Sequence, residues 1–256
     1  MSLFRLSARL PHWRSCLARS PAALATAMAS STLLAMASTL PPALVPLPRH
    51  TEAAWWLPRH EAKLREARSL RPDIVLLGDS ITHNWEGPGR AAWEAYWGGH
   101  PTLNLGFSGD RTENVLWRLR EGAMDGLDPK LTILLIGTNN TGYRMDPAAD
   151  TAAGIRAILD EVRNRAPNSK LLLLAIFPRG TNAADPVWRR NQAVNERIAE
   201  YADGERIHFL DINDSFTTGD AAMRTDLLPD YVHPNASGYE VWAERMQATV
   251  TGLMRD

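Results

Sequence analysis

Four separated stretches of this 256-residue chain carry side chains that could do chemistry together. Gly78-Asp79-Ser80-Ile81 holds a serine behind a glycine and an acid. Asn104-Leu105-Gly106-Phe107-Ser108-Gly109-Asp110 is glycine-rich. Gly137-Thr138-Asn139-Asn140 offers two amides, and Asp230-Tyr231-Val232-His233-Pro234 sets an acid three residues before a histidine. An alkyl hydroxyl is a weak nucleophile at neutral pH and needs a base within hydrogen-bond reach. Imidazole accepts and returns a proton near neutral pH, so His233 is the candidate base for Ser80. Asp230 would bond the other ring nitrogen, fix the tautomer and stabilise the imidazolium. Attack on an ester carbonyl puts negative charge on its oxygen, and donors must point there. The backbone N–H groups of Ser80 and Gly109 and the side-chain amide of Asn139 are the candidates. The set is what acyl transfer through Ser80 requires. The chain contains no G-x-S-x-G, so the nucleophile elbow of the α/β-hydrolases is excluded.

Each stretch alone has a plainer reading: a helix-capping turn, an Asx turn, a capping segment with a solvated histidine. Their placement along the chain decides between the two. Continuous apolar runs at 73–77 and 131–136 read as strands buried on both faces. Further strands are expected at 102–105, 171–177 and 206–211. Helices are expected at 52–69, 90–97, 112–121, 147–165, 186–202 and 236–253. The alternation predicts an α/β fold with a central parallel sheet of about five strands between helical layers. Ligand sites in such sheets lie beyond the carboxyl ends of the strands. The four stretches stand at strand ends or before the last helix, so they should converge on one site.

Other residues carry weaker signals. Asp79, beside the serine, is expected to bond loop amides and hold the Ser80 turn. Thr138 and Asn140 are expected to support Asn139. Trp85 could line the acyl or alcohol pocket or pack in the interior. Arg179 could bind an anionic leaving group or pair with a carboxylate of a neighbouring helix. Asp110 and Arg111 read as helix capping and surface charge and Ser108 as loop structure, while His83, three residues after Ser80, could touch substrate or be a surface loop residue. Tyr143 is placed at the rim of the site, and Trp93 and Trp97 in the core. The seven histidines show no H-x-H or H-x₃-H spacing, so no metal site is expected, and no cofactor is implied.

The blocks GDSI, GFSGD, GTNN and DYVHP, in this order, resemble the signature blocks of the SGNH (GDSL-type) hydrolases. The similarity runs from about residue 55 to 252. The stretches NLGFSGDRTENVLWRL, IGTNN and FPRG…NQAVN are most like the branch of the platelet-activating factor acetylhydrolase catalytic subunits and their bacterial relatives. The resemblance implies a three-layer α/β/α flavodoxin-like fold. It implies Ser80 as nucleophile, Gly109 and Asn139 as oxyanion donors, and Asp230 with His233 completing the triad. Ile81 stands where the family usually has leucine. The branch implies a small, acetyl-sized acyl group, with a small-molecule or glycan ester as substrate. A lysophospholipase or aryl esterase, an O-acyltransferase and a non-catalytic sugar-binding domain are the alternatives. Mammalian members pair as dimers, which leaves a homodimer open for this chain.

Composition narrows the rest. With 45% hydrophobic and 22% charged residues the chain is an ordinary globular protein. A formal charge of −1 gives no basic surplus for nucleic acid. The single cysteine, Cys16, excludes a disulfide framework within the chain. Residues 1–50 contain no acid; Arg5, Arg9, Arg14 and Arg19 precede an uncharged run at 20–40 with small-residue sites. That pattern reads as an export signal over 1–37, giving a periplasmic or extracellular protein, or otherwise a cytoplasmic one. Ser and Thr break the run and Pro41-Pro42 ends it, so a membrane span is not expected. Residues 38–51 read as a Pro-rich extended linker and 52–256 as the hydrolase domain.

Overall fold

The computed structural model describes residues 40–255, and the expected export signal lies outside them. Five parallel strands form the sheet: β1 (Ile74–Gly78), β2 (Thr102–Gly106), β3 (Leu131–Leu135), β4 (Lys170–Leu174) and β5 (Ile207–Leu210), in spatial order β2-β1-β3-β4-β5. This is the flavodoxin-like order, and the chain changes direction across the sheet between β1 and β3. The strands alternate their apolar side chains between two cores. Val75, Leu77, Leu103, Leu105, Leu134 and Leu173 enter one, and Ile74, Leu76, Ile133, Leu135, Leu172 and Leu174 the other. Helices α1 (Trp56–Ser69), α4 (Thr112–Arg120), α5 (Ala148–Arg165) and α6 (Pro186–Ala199) give residues to the first core. Helices α3 (Arg90–Trp97) and α7 (Ala236–Arg255) cover the second face. Among the described residues no helix is long and apolar enough to cross a membrane.

One short element was not legible in the sequence. Helix α2 (Ser80–His83) is a single turn that begins on the candidate nucleophile. Two glycines let it sit on the strand tips. A Cβ on Gly78 would lie 2.3 Å from the Leu135 carbonyl oxygen, and one on Gly106 would lie 2.2 Å from the His83 nitrogen. Asn104, buried inside β2, donates to the Thr82 carbonyl at 3.0 Å and accepts the Gly106 N–H at 2.8 Å. Asp79 caps the turn by accepting the Ile81 N–H at 3.0 Å. Tyr239 of α7 donates to the Ile81 carbonyl at 2.5 Å.

Two expectations are corrected. Residues 41–51 do not run as an extended linker: a 3₁₀ turn at Pro42–Leu44 buries Ala43 completely against the domain. Thr112 Oγ1 donates to the Ala43 carbonyl at 2.9 Å, and Asn114 Nδ2 donates to the Leu47 carbonyl at 2.8 Å. Prolines, which have no N–H to satisfy, suit a strap whose carbonyls are bonded by neighbouring side chains. The second correction concerns the strand expected to reach residue 177. It leaves the regular ladder at Leu174 because α6 takes over its bonding. Asn195 accepts the Ile176 N–H and donates to the Ile176 carbonyl, both at 2.8 Å, and Asn191 donates to the Phe177 carbonyl at 2.9 Å. Asn191 and Asn195 stand four apart and so share one face of α6.

Gly106→Ala should therefore destabilise the fold by about 1–3 kcal/mol, as overpacking against backbone does. Gly99→Ala, whose added methyl meets nothing within 4 Å, is the control and should leave the denaturant midpoint unchanged. Urea melts of the two variants measure the difference.

Candidate active site

The loops after β1, β2 and β3 and the segment before α7 meet in one cleft. Ser80, Ser108, Gly109, Asn139, Asp230 and His233 all line it, around a volume of about 590 Å³. Ser80 Oγ lies 2.8 Å from His233 Nε2, although 153 residues separate the two in sequence. His233 Nδ1–H donates to Asp230 Oδ2 at 2.7 Å, leaving Nε2 free to accept the serine proton.

The acid and the histidine are positioned locally. Asp230 folds back on its own segment, and its Oδ1 accepts the Val232 N–H at 3.1 Å and the His233 N–H at 2.7 Å. Tyr231, between them, adopts a left-handed φ of 63°. The three-residue spacing is thus an Asx turn closed by the imidazole. Burial pushes the Asp230 carboxyl up, but the bonds from the His233 backbone and ring outweigh it, so it stays below the ordinary carboxylate range. Asn235 then caps α7 by accepting the Gly238 N–H at 2.9 Å.

The candidate oxyanion donors belong to neighbouring loops. Asn139 Nδ2 donates one hydrogen to the Asp110 carbonyl at 2.9 Å, which fixes the amide and leaves its second N–H for the cleft. Gly109 has φ of 82°, a conformation costly for any side chain.

Asp110 is not surface charge. It is fully buried, accepting from Trp56 Nε1 at 2.6 Å and from Arg118 Nε at 2.9 Å. Burial pushes its carboxyl up to about 6, against the pull of Arg118 and Trp56. The sequence reading missed this because the partners lie on other elements. The one available signal was the run of apolar and small residues, Phe107-Ser108-Gly109, on the N-terminal side of the acid.

The remaining candidates divide. Asp79 holds the Ser80 turn as expected from its position. Thr138 is buried, and its carbonyl accepts from Arg179 Nη1 at 2.9 Å. Asn140 is fully buried behind the cleft, accepting the Thr112 N–H at 3.0 Å and donating to Asp146 at 3.0 Å. Arg179 braces the turn after β3, and its guanidinium lies 4.7 Å from the ring centroid of Tyr143. Trp85 does not line the cleft. It is buried in the second core, edge-on to Tyr239 and Trp93 at 4.6 and 5.3 Å between centroids. Its place two residues after α2 turns it under the sheet-side aromatic block.

Asn84, Tyr143, Val232 and Asn235 line the cleft too, with Pro88, Pro229 and Pro234, and of the first four the sequence had marked only Tyr143. Asn84 stands four residues after Ser80, so helical spacing alone could have placed it on the same face. Ser108 also finds a histidine, with its Oγ 3.0 Å from His83 Nδ1. That pair is poorly made for base catalysis. Burial, aided by Arg59, lowers His83 to about 4, so its ring is a weak base at neutral pH. Arg59 and Lys63, each 2.9 Å from Glu86 Oε1, neutralise the adjacent carboxylate. Among the described residues no group of three or more His, Cys, Asp or Glu is placed to hold a metal.

A serine, a histidine and an aspartate in one hydrogen-bonded chain above a flavodoxin-like sheet suggest a class, and comparison with known proteins gives the family. The profile of the GDSL-like lipase/acylhydrolase family matches residues 76–241. The human platelet-activating factor acetylhydrolase IB subunit alpha1 is 32% identical over 188 residues, which span 72% of this chain and 78% of that protein. A GDSL-like lipase from Bacteroides thetaiotaomicron superposes with a TM-score of 0.63 at 21% identity, over 75% of this chain and 97% of that one. Axe2, an acetylxylan esterase from Geobacillus stearothermophilus, gives 0.56 at 18% identity, over 69% and 93%. The chain belongs to the GDSL-like lipase/acylhydrolase family, whose chemistry is carboxylic ester hydrolysis.

Asp79 generates a pH dependence. Its Oδ2 is buried without a hydrogen-bond partner among the described residues, and burial, with the charge of Asp110 nearby, pushes the carboxyl up to about 7. Between about pH 4 and 7 the folded chain holds a proton that the unfolded chain has released, so stability falls as pH rises through that window. Asp79→Asn keeps an acceptor for Ile81 and removes the charge. It should raise the melting temperature at pH 8 by about 3 °C or more and leave it nearly unchanged at pH 4. Thermal melts of parent and variant at both pH values measure this.

Proposed function

We propose that this esterase hydrolyses short-chain, acetyl-sized esters of a carbohydrate through an acyl-enzyme on Ser80. The observation that carries the reading is the Ser80–His233–Asp230 chain, with links of 2.8 and 2.7 Å, opening into a cleft lined by both polar and apolar groups. His233 Nε2 takes the hydroxyl proton as Ser80 Oγ bonds the ester carbon. The amides of Ser80, Gly109 and Asn139 receive the charge on the carbonyl oxygen. The imidazolium, held by Asp230, then protonates the leaving alcohol. Water, deprotonated by the same nitrogen, releases the acid and restores Ser80.

The lining supports the acyl size. Val232 is its one branched aliphatic side chain, beside prolines, asparagines and Tyr143. A buried methylene is worth about 0.8 kcal/mol only where apolar atoms receive it. A long acyl chain would find little such surface here. Asn84, Asn235 and the exposed Tyr143 ring offer the amide bonds and flat face that sugars use. Similarity to an acetylhydrolase subunit and an acetylxylan esterase points the same way. Export is part of the proposal and rests on the acid-free, arginine-flanked N-terminus.

Turnover of p-nitrophenyl acetate should exceed that of octanoate by tenfold or more in kcat/KM, about 1.4 kcal/mol of transition-state binding. Ser80→Ala and His233→Ala should each lower it by about 10³-fold or more, while Ser108→Ala keeps it within about tenfold. A preference for octanoate would make the cleft a lipid site and favour the lysophospholipase reading. Turnover that survives Ser80→Ala would remove the mechanism. Release of acetate from acetylated xylan, absent in Ser80→Ala, tests the sugar.

A further inference from the structure

The strap at 41–51 lies outside the residues matched by the family profile, yet it reaches the active site through Arg49. Arg49 Nη1 donates to the Ser108 carbonyl at 2.7 Å, and its Nε donates to Glu52 at 2.9 Å. The guanidinium lies directly against Gly109: a Cβ there would fall 2.2 Å from Nη1 and 2.5 Å from Cζ. The strap holds its place by the buried Ala43, by the bond from Asn114 to the Leu47 carbonyl, and by the Leu47 N–H on the Glu113 carbonyl at 3.2 Å. The Arg49 carbonyl accepts the Glu52 and Ala53 N–H groups, both at 3.1 Å, which turns the chain into α1.

The Ser108 carbonyl and the Gly109 N–H share one planar trans peptide, so they point in opposite directions. A charged donor that pins the carbonyl fixes the aim of the N–H. It also draws electron density toward the oxygen and makes the N–H a stronger donor. The Phe107–Asp110 turn is closed by the Asp110 N–H on the Phe107 carbonyl at 3.0 Å, and with Gly109 at a left-handed φ the Ser108–Gly109 peptide is its central plane. That plane can turn over between turn types while the closing bond is kept, so the bond from Arg49 adds the restraint on its direction.

We infer that Arg49 is a positioning residue for the oxyanion site, acting through the Ser108–Gly109 peptide to aim the Gly109 N–H into the cleft. The inference rests on the proposed role of Gly109. The strap is then a working part of the catalytic domain, and Gly109 is glycine both for its φ and for the cation packed against it.

The test uses the full chain with p-nitrophenyl acetate as substrate and phenylboronic acid, which forms a tetrahedral adduct on a serine, as probe. Loss of a whole oxyanion donor costs about 10²–10³ in rate. Misaiming one should cost less. Arg49→Ala is expected to lower kcat by about 10–100-fold with KM within about twofold, and to weaken phenylboronic acid by a similar factor. Arg49→Lys, which keeps a charged donor without the fork, should recover part of both. Glu52→Gln, which weakens the other contact of Arg49, should leave kcat within about twofold. The inference is overturned if Arg49→Ala keeps kcat within twofold. It is also overturned if the loss falls on KM, if boronate affinity does not change, or if the loss follows a drop in melting temperature and disappears on cooling. Parent and Ser80→Ala are assayed with Arg49 intact. If Ser80→Ala retains turnover, the catalytic reading fails first and takes this inference with it, so the two failures are told apart.

Discussion

A single buried carboxylate sets the geometry around the cleft. Asp110 is removed from water at the end of β2, where an unpaired charge would cost several kcal/mol. It is tolerated because its oxygens are met by Arg118 from α4 and Trp56 from α1. Arg118 in turn is fully buried and lies 4.1 Å from the Phe107 ring centroid. The backbone carbonyl of the same aspartate anchors Asn139. Two helices and two strand-end loops thus share one residue, and each has a partner only when all are in place. Removing either member of the Asp110–Arg118 pair would strand the other charge in the interior, so the loop geometry is held by an all-or-none condition.

The opposite side of the cleft is fixed by packing. Trp85, Trp93, Trp97, Tyr239 and Trp242 form one aromatic block beneath the sheet, with neighbouring rings at centroid separations such as 4.6 Å for Trp85–Tyr239 and 4.7 Å for Trp85–Trp242. This block joins α7, and with it the histidine segment, to the turn that carries Ser80. The Tyr239 hydroxyl on the Ile81 carbonyl ends that chain of contacts. The long-range meeting of Ser80 and His233 is therefore made by apolar burial, with hydrogen bonds setting its last few tenths of an ångström. Trp85, which chemistry alone could place in the substrate pocket, is one of the residues that build this support.

Charge is placed unevenly around the site. Asp230 meets three donors within its own turn and Asp110 meets Arg118 and Trp56, while Asp79 has one backbone amide and an orphan oxygen. Burial, which the pull of the Ile81 amide and of Arg179 does not offset, pushes Asp79 up to about 7. Three acids close in sequence or space to Ser80 thus differ in how ready they are to ionise. The difference follows from how deeply each is buried and from the donors each one meets.

Much of this was legible in the residues. The apolar runs at 73–77 and 131–136 gave strands because no other element hides four or five consecutive large side chains on both faces. The Asp230–His233 pair was legible because its geometry is local, a turn that three residues can close. The alternation of strands and helices placed the loops on one edge of the sheet, so convergence of the four stretches followed from chain order. What only the tertiary structure decided has one physical cause: partners distant in sequence. Asp110 read as surface charge until Trp56 and Arg118 were seen beside it. Residues 41–51 read as linker because their bonds go to Thr112, Asn114 and Ser108. The strand at β4 read too long because Asn191 and Asn195, on a later helix, replace its ladder. Local pattern determines which elements form and which residues can react. Which polar groups are satisfied, and so which stay buried and aimed, is settled only when the chain returns on itself.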